Sequence, residues 1–198
     1  MLKRPDTIQR QLLPYQIAPV IGLAMGNESA VIIPIPEIEP IVGPLRWQYD
    51  QAARLGVPAH ITLLYPFCPP TPARDAISGL REVGASFEAF PFSFTEVRRF
   101  SGTAYLHPDR SETFVQITKT LMKMWPDCKP YDGAFLDIIP HLTVADRVAL
   151  ETLSEVEDSL RYRLPIACFA REIWLLASDH AGMWSKKAFF PLAASKKL

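Results

Sequence analysis

Proline occupies 19 of the 198 positions, about twice the usual ~5%. Each proline fixes φ and removes a backbone donor, so it ends helices and is kept out of central strands. Spread along the chain, these prolines exclude long helical bundles and coiled coils. They leave short elements joined by defined turns. Hydrophobic residues make up 48% of the chain and charged residues 21%, enough apolar material for a sizeable core and too much for a disordered chain.

Between the prolines the hydrophobic period alternates between that of strands and that of helices. Ala30 to Ile35 is a β-branched run, bounded by Pro34 and Pro36, and reads as a strand. Residues 37–49 read as a helix interrupted at Gly43-Pro44. His60 to Tyr65 alternates and stops at Pro66, as a strand does. Residues 72–87 are helical, with Ala76, Ile77, Leu80 and Val83 on one face. Phe92–Val97 and Thr103–Leu106 flank Ser101-Gly102 as a hairpin. An amphipathic helix over 112–125 ends at Pro126, followed by a loop at Asp132-Gly133. Residues 139–145 read as a strand, 149–162 as a helix, and 173–176 and 184–190 as a closing pair of strands.

This order suggests two similar units, each with a histidine-bearing strand between helices. It predicts a bilobal α+β fold of two pseudo-symmetric lobes, about 29–100 and 101–194, each with a small, mainly antiparallel sheet and flanking helices, and with a cleft between them. Residues 1–28 read as a loosely packed extension and 195–198 as a tail. Lys3 and Arg4 precede the apolar stretch Ile17–Met25, but Gln9, Arg10, Gln11 and Gln16 leave a poor apolar region and Pro14 and Pro19 break the continuity a signal peptide needs. That stretch is also far short of the ~20 residues that span a bilayer, so no membrane is expected. Cys68, Cys128 and Cys168 are odd in number and widely spaced, which fits neither a disulfide framework nor a zinc ribbon. A reducing, cytoplasmic setting is expected. With 21 basic and 21 acidic residues the formal charge is zero, which argues against tight binding of long duplex nucleic acid.

The chemistry is carried by a repeated tripeptide. His60-Ile61-Thr62 and His141-Leu142-Thr143 hold two of only four histidines, about eighty residues apart. On a strand, positions i and i+2 share a face, so each tripeptide presents an imidazole beside a hydroxyl. Ile61, Leu63, Leu142 and Val144 then point into apolar packing. A single His-x-Thr is ordinarily a satisfied histidine next to a β-former, but two copies on matching elements call for a common explanation. Two imidazoles flanking one phosphorus atom can divide general acid–base work. One removes a proton from water or a hydroxyl while the other protonates the leaving oxygen. The two threonine hydroxyls can donate to the non-bridging phosphate oxygens. Such a scheme requires no metal or other cofactor, and the cysteines offer no spacing that would complete a zinc site with the two histidines.

Paired His-x-Thr motifs in a chain of this length resemble the 2H phosphoesterase superfamily, also called the 2′-5′ RNA ligase-like family. The resemblance runs from about residue 29 to 192. It implies a bilobal fold with His60 and His141 as the catalytic pair, Thr62 and Thr143 on the phosphate, and a 2′,3′-cyclic or 2′-5′-linked nucleotide or RNA end as substrate. A non-catalytic RNA-end or nucleotide-binding module using the same cleft is the alternative. Which histidine is the base is not legible here. Tyr65 and Phe67, at the end of the first motif strand, are candidate base-stacking residues. Arg98, Arg99, Lys186 and Lys187 are candidate phosphate-attracting cations, and His107 and His180 fall in turns. Trp184 reads as core. A monomer is expected, and so is a bell-shaped pH profile with limbs on both sides of neutrality.

Overall fold

The computed structural model describes residues 27–67, 74–133 and 137–194. Cys68, residues 1–26 of the extension and the tail at 195–198 lie outside the described residues. In chain order the elements are β1 (Ser29–Pro34), α1 (Glu39–Tyr49), α2 (Gln51–Arg54), β2 (His60–Phe67), α3 (Arg74–Ser86), β3 (Phe90–Phe100), β4 (Thr103–Pro108), α4 (Ser111–Met124), β5 (Leu142–Ala145), α5 (Leu150–Arg161), β6 (Ile166–Ala170), β7 (Glu172–Ser178) and β8 (Trp184–Pro191).

The strands form two four-stranded sheets, ordered β2-β1-β7-β8 and β5-β4-β3-β6, antiparallel throughout. The α+β class and the two-lobe design hold. The lobes are not successive halves of the chain, however. The first sheet takes β1 and β2 from the start and β7 and β8 from the end, while the second takes the middle. A boundary near residue 100 would cut the β3–β4 hairpin, whose strands pair from Phe94–Pro108 to Phe100–Thr103. The symmetry instead maps β1 and β2 onto β4 and β5, so that each motif strand is an edge strand.

Two local expectations are corrected, at α1 and β5, and one strand, β6, is added. α1 runs through Gly43-Pro44 without a break. Pro44 sacrifices one bond toward the Pro40 carbonyl, but Val42 and Arg46 on either side are buried, and this packing outweighs the loss. β6 carries little β-propensity in Ala167, Cys168 and Ala170 and becomes a strand through its ladder to β3. β5 is shorter than the expected 139–145, because Pro140 has no N–H to give and the ladder to β4 begins at Leu142–Leu106.

One main core joins both lobes. Val31 and Ile33, Leu63 and Leu64, Phe90, Phe92 and Phe94, and Leu106 and Leu142 meet the apolar stripes of α1, α3, α4 and α5. Each fully buried side chain of this size contributes roughly 1.5–3 kcal/mol relative to exposure. On the opposite face of the first sheet a smaller cluster gathers Ala30, Ile32, Tyr65, Leu176 and Trp184. Glu28, at the end of the extension, is stitched down rather than loose: its N–H donates to Ser178 Oγ and its carbonyl accepts from the Ser178 N–H. No helix among the described residues is long and apolar enough to cross a membrane.

Candidate active site

The motif strands β2 and β5, edges of different sheets, lie against each other. This contact brings the two tripeptides to one junction. Alternation places Ile61, Leu63, Leu142 and Val144 in the core, each 2% exposed or less. His60 and Thr62 therefore share the other face, as expected. His141 lies one residue ahead of β5 rather than inside it, and Thr143 pairs with Tyr105 of β4.

Both imidazoles are held in the same way. His60 Nδ1 lies 2.7 Å from the Pro58 carbonyl, and His141 Nδ1 lies 2.7 Å from the Ile139 carbonyl. A carbonyl only accepts, so each ring carries its proton on Nδ1 and turns a basic Nε2 outward. In both copies the acceptor stands two residues before the histidine, and in both a proline, Pro58 or Pro140, stiffens the approach to the ring.

The surroundings differ. His60 is 8% exposed, and its Nε2 accepts a hydrogen bond from Thr62 Oγ1 at 3.1 Å. Burial, followed by the charge of Arg46, pushes its pKa down to about 3, and the approach of His141 adds to the fall. Arg46 is itself buried. It donates to Asp50 Oδ2 at 2.9 and 3.1 Å and to the Val57 carbonyl at 3.2 Å. Glu39 Oε1 accepts from the Ala59 N–H at 2.5 Å. These bonds fix residues 57–59, the segment that carries the Pro58 acceptor. Gly56 makes the turn into it at φ +95°, where a Cβ would lie 2.8 Å from the Trp184 carbonyl oxygen.

His141 is half-buried and meets the rings of Phe100 and Tyr105 edge-on, at centroid distances of 5.3 and 5.2 Å. Its pKa is also lowered, chiefly by burial. Thr143 is half-buried, and its hydroxyl has no hydrogen-bond partner among the described residues. Those residues also include no group of three or more His, Cys, Asp or Glu placed to hold a metal ion.

Sequence reasoning missed Tyr131. Its hydroxyl bonds Thr62, and burial pushes its pKa up to about 12. The chain there follows Lys129-Pro130 with Tyr131 at φ 51° and Asp132 at φ 54°, a left-handed pair that no local pattern announces. Tyr131–Thr62–His60 thus forms a continuous hydrogen-bonded row.

The two candidate stacking residues are corrected. Phe67 is 5% exposed and packs edge-on against Trp125 at 5.1 Å, so it belongs to the core. Tyr65 is 4% exposed. Its hydroxyl donates to Glu28 Oε2 at 2.5 Å, and Tyr131 and Trp184 pack edge-on against it. Neither ring offers a free face to a base. Trp184 is core, as expected. Arg98 pairs with Glu96, Arg99 pairs with Glu157, and Lys186 lies over the Trp174 ring at 4.0 Å. His107 is not in a turn but in β4, half-buried.

A model of the 2′-5′ RNA ligase superfamily matches residues 34–182, most of the chain and both motifs. The chain therefore belongs to the 2′-5′ RNA ligase superfamily, whose members include the 2H phosphoesterases. Solved structures agree on the fold. TT0787 of Thermus thermophilus superposes with a TM-score of 0.58 at 14% identity, covering 85% of this chain and all of that one. E. coli LigT complexed with 3′-AMP gives 0.57 at 14% identity over 84% and 98% of the two chains. The same protein complexed with NADP+ gives 0.56 at 16% identity over 86% and 99%. No curated protein matches this chain in sequence.

Proposed function

We propose that this chain is a metal-independent phosphoesterase that opens 2′,3′-cyclic phosphates, or cleaves 2′-5′ linkages, at nucleotide or RNA ends. The carrying observation is the matched pair of carbonyl clamps at 2.7 Å, which leaves two basic Nε2 atoms at one junction. E. coli LigT has been solved with 3′-AMP bound, and a nucleotide phosphate is the natural occupant of such a junction here.

The roles follow from the surroundings. His60 is kept neutral by burial and by Arg46, which suits the base. It takes a proton from water as the water oxygen attacks phosphorus. The phosphorus–oxygen bond to one ribose oxygen breaks, and His141, charged beside the bound anion, gives that oxygen its proton. Thr143 donates to a non-bridging oxygen, where negative charge is concentrated in the transition state, and Thr62 does the same once substrate binding turns its one proton from His60 Nε2 to the phosphate, which frees Nε2 for the water. The products are a phosphomonoester and a free ribose hydroxyl, and proton exchange with solvent resets both rings.

The test is incubation of the purified chain with 2′,3′-cyclic AMP and chelator. Turnover by the wild type, with a loss of about 10² or more in His60→Ala and in His141→Ala, is the expected result. Saturable binding without product would replace this reading with that of a binding module.

A further inference from the structure

A third histidine stands beside the second motif. In the first copy Ile32 of β1 pairs with Thr62, and Pro34 pairs with His60. In the second copy Tyr105 of β4 pairs with Thr143, and Leu106 pairs with Leu142. The next residues outward on these two segments are His107 and His141. A histidine thus takes the place opposite His141 that Pro34 holds opposite His60. Side chains alternate along β4, so His107 shares the face of Tyr105, whose ring meets that of His141 at 5.2 Å. The mechanism above gives His107 no part.

No neutral form of this ring is fully satisfied. Ser111 donates its one proton to the Pro108 carbonyl at 2.8 Å, so His107 Nε2–H donates to Ser111 Oγ at 3.0 Å. Nδ1 is then buried without a hydrogen-bond partner among the described residues, and it faces the Pro140 carbonyl. Two acceptors confront each other there. The other neutral tautomer puts a proton on Nδ1 but takes the Ser111 proton away from Pro108. Only the imidazolium serves Ser111 and Pro140 together. Burial and the Arg98 guanidinium oppose that charge, while Glu96 of β3 and Glu112 of α4 favour it. Lys119 of α4 is the remaining cation on the walls of the cavity that His107 and Pro140 share.

Pro140 stands between His141 and Ile139, whose carbonyl clamps His141 Nδ1 at 2.7 Å. A donor that holds the Pro140 carbonyl therefore also steadies the clamp. The same proton places a positive charge beside His141, which lowers that ring's affinity for its own proton. Arg46 acts on His60 permanently, whereas His107 acts only while protonated.

We propose that His107 is a positioning residue for His141: as an imidazolium it anchors the Pro140 carbonyl, and with it the Ile139 clamp, and its charge opposes a second charge on the neighbouring ring. This role rests on the phosphoesterase reading only for the part of His141 as acid. On acidification His107 charges first and His141 charges against it, so the form with a charged acid carries both protons.

The test is titration of the histidine rings by nitrogen NMR in the full chain, together with kcat/KM for 2′,3′-cyclic AMP against pH, in the wild type, His107→Phe and His107→Asn. Phe keeps a ring and removes the unpaired nitrogen, so unfolding free energy is not expected to fall. Asn offers a neutral amide N–H where Nδ1 stands. In both variants the His141 midpoint is expected to rise, because the neighbouring charge is gone, and the ratio of kcat/KM at pH 7 to that at pH 5 to increase about threefold or more. In His107→Phe alone, kcat at the optimum is expected to fall about tenfold and the His141 Nδ1 proton to exchange faster, for want of the anchor. A His141 midpoint that stays put in both variants overturns the proposal. Equal loss of kcat in both, or equally fast exchange of the Nδ1 proton, overturns the anchor and leaves His107 a merely structural residue. The midpoints and the exchange are read without substrate. If the wild type does not turn over cyclic AMP, yet the midpoint rises in both variants and exchange quickens only in His107→Phe, the His107–His141 link stands and the phosphoesterase reading falls.

Discussion

The two His-x-Thr copies share a tripeptide, a carbonyl clamp and an edge strand, yet one is enclosed and the other open. His60 is buried, already accepts the Thr62 hydroxyl, and connects through it to Tyr131. His141 is half-buried between aromatic edges, and neither its Nε2 nor Thr143 has a partner among the described residues. A sequence symmetry has thus been placed in asymmetric surroundings. The surroundings, not the motif, decide proton affinity: Arg46 under α1 has no counterpart at His141. On the proposed mechanism, two like groups driven apart in this way serve as base and acid without any difference in residue type.

The largest effect that can break this comparison is loss of either ring. Removing a positioned acid or base costs about 10²–10⁴ in rate. On a cyclic nucleotide, His60→Gln and His141→Gln are each expected to fall in that range. On an aryl phosphodiester, whose leaving group departs unprotonated, the His141→Gln loss should nearly vanish while the His60→Gln loss persists. The opposite pattern would exchange the two roles, and equal losses on both substrates would remove the asymmetry. Next in size are the hydroxyls. Thr143→Val and Thr62→Val should each lower kcat by about 10²–10³, the usual worth of a donor to developing charge. Thr62→Val alone should also move the pH profile, since only Thr62 bonds its histidine.

The pH dependence sharpens the contrast further. In the free protein both histidines lie below 6.5, with His60 at about 3. The pH range with a neutral base and a charged acid therefore lies on the acid side, and kcat/KM should decline as pH rises through the His141 pKa. The prediction thus differs from limbs on both sides of neutrality, and the measured profile decides between them. Stability follows with a definite sign. Between pH 6.5 and 3 the unfolded chain protonates His60 and the folded chain does not. Stability from this group is complete above 6.5 and is lost on acidification, by up to about 1.4 kcal/mol per pH unit. Asp50, whose pKa burial raises, acts in the opposite sense. The measurement is therefore the difference in unfolding free energy between the wild type and His60→Gln across this range, in which Asp50 cancels. A flat difference would show that His60 titrates normally.

How much of this was legible depends on range along the chain. The facing of His60 and Thr62 was readable because Ile61 and Leu63 supply a local alternation with an apolar side. Tyr65 and Phe67 were candidates by their place at the strand's end, although the same alternation carried on puts both on the side of Ile61 and Leu63; the β1–β2 ladder also shifts register between Val31 and Ile32, opposite Leu64 and Thr62. Leu63, Leu64 and Phe67 all end in the main core, while Tyr65 moves to the other cluster. The interleaving of the sheets was hidden because β1 pairs with β7, from Ser29–Ala177 to Ile32–Trp174, and no local pattern encodes so distant a partner. Arg46 was equally hidden, since a lone arginine in a helix ordinarily reads as surface. Its burial follows from Asp50 one turn on and from the Val57 carbonyl.

Tyr131 sets the smallest and most specific test of the enclosed copy. Its hydroxyl bonds Thr62, whose own proton serves His60 Nε2. Tyr131→Phe keeps the ring, and with it the edge-on contact to Tyr65 at 6.4 Å, so packing is preserved while one hydrogen bond is lost. The cost to stability should be about 0.5–1.5 kcal/mol, the net worth of such a bond. Thr62 then keeps a single partner and is free to rotate from His60 toward a bound phosphate. KM for a cyclic nucleotide should therefore change little, while the tautomer signature of His60 in nitrogen NMR loosens and that of His141 does not move. A variant in which both rings respond alike would mean that the hydrogen-bonded row extends across the junction, and that the two copies are coupled rather than merely different.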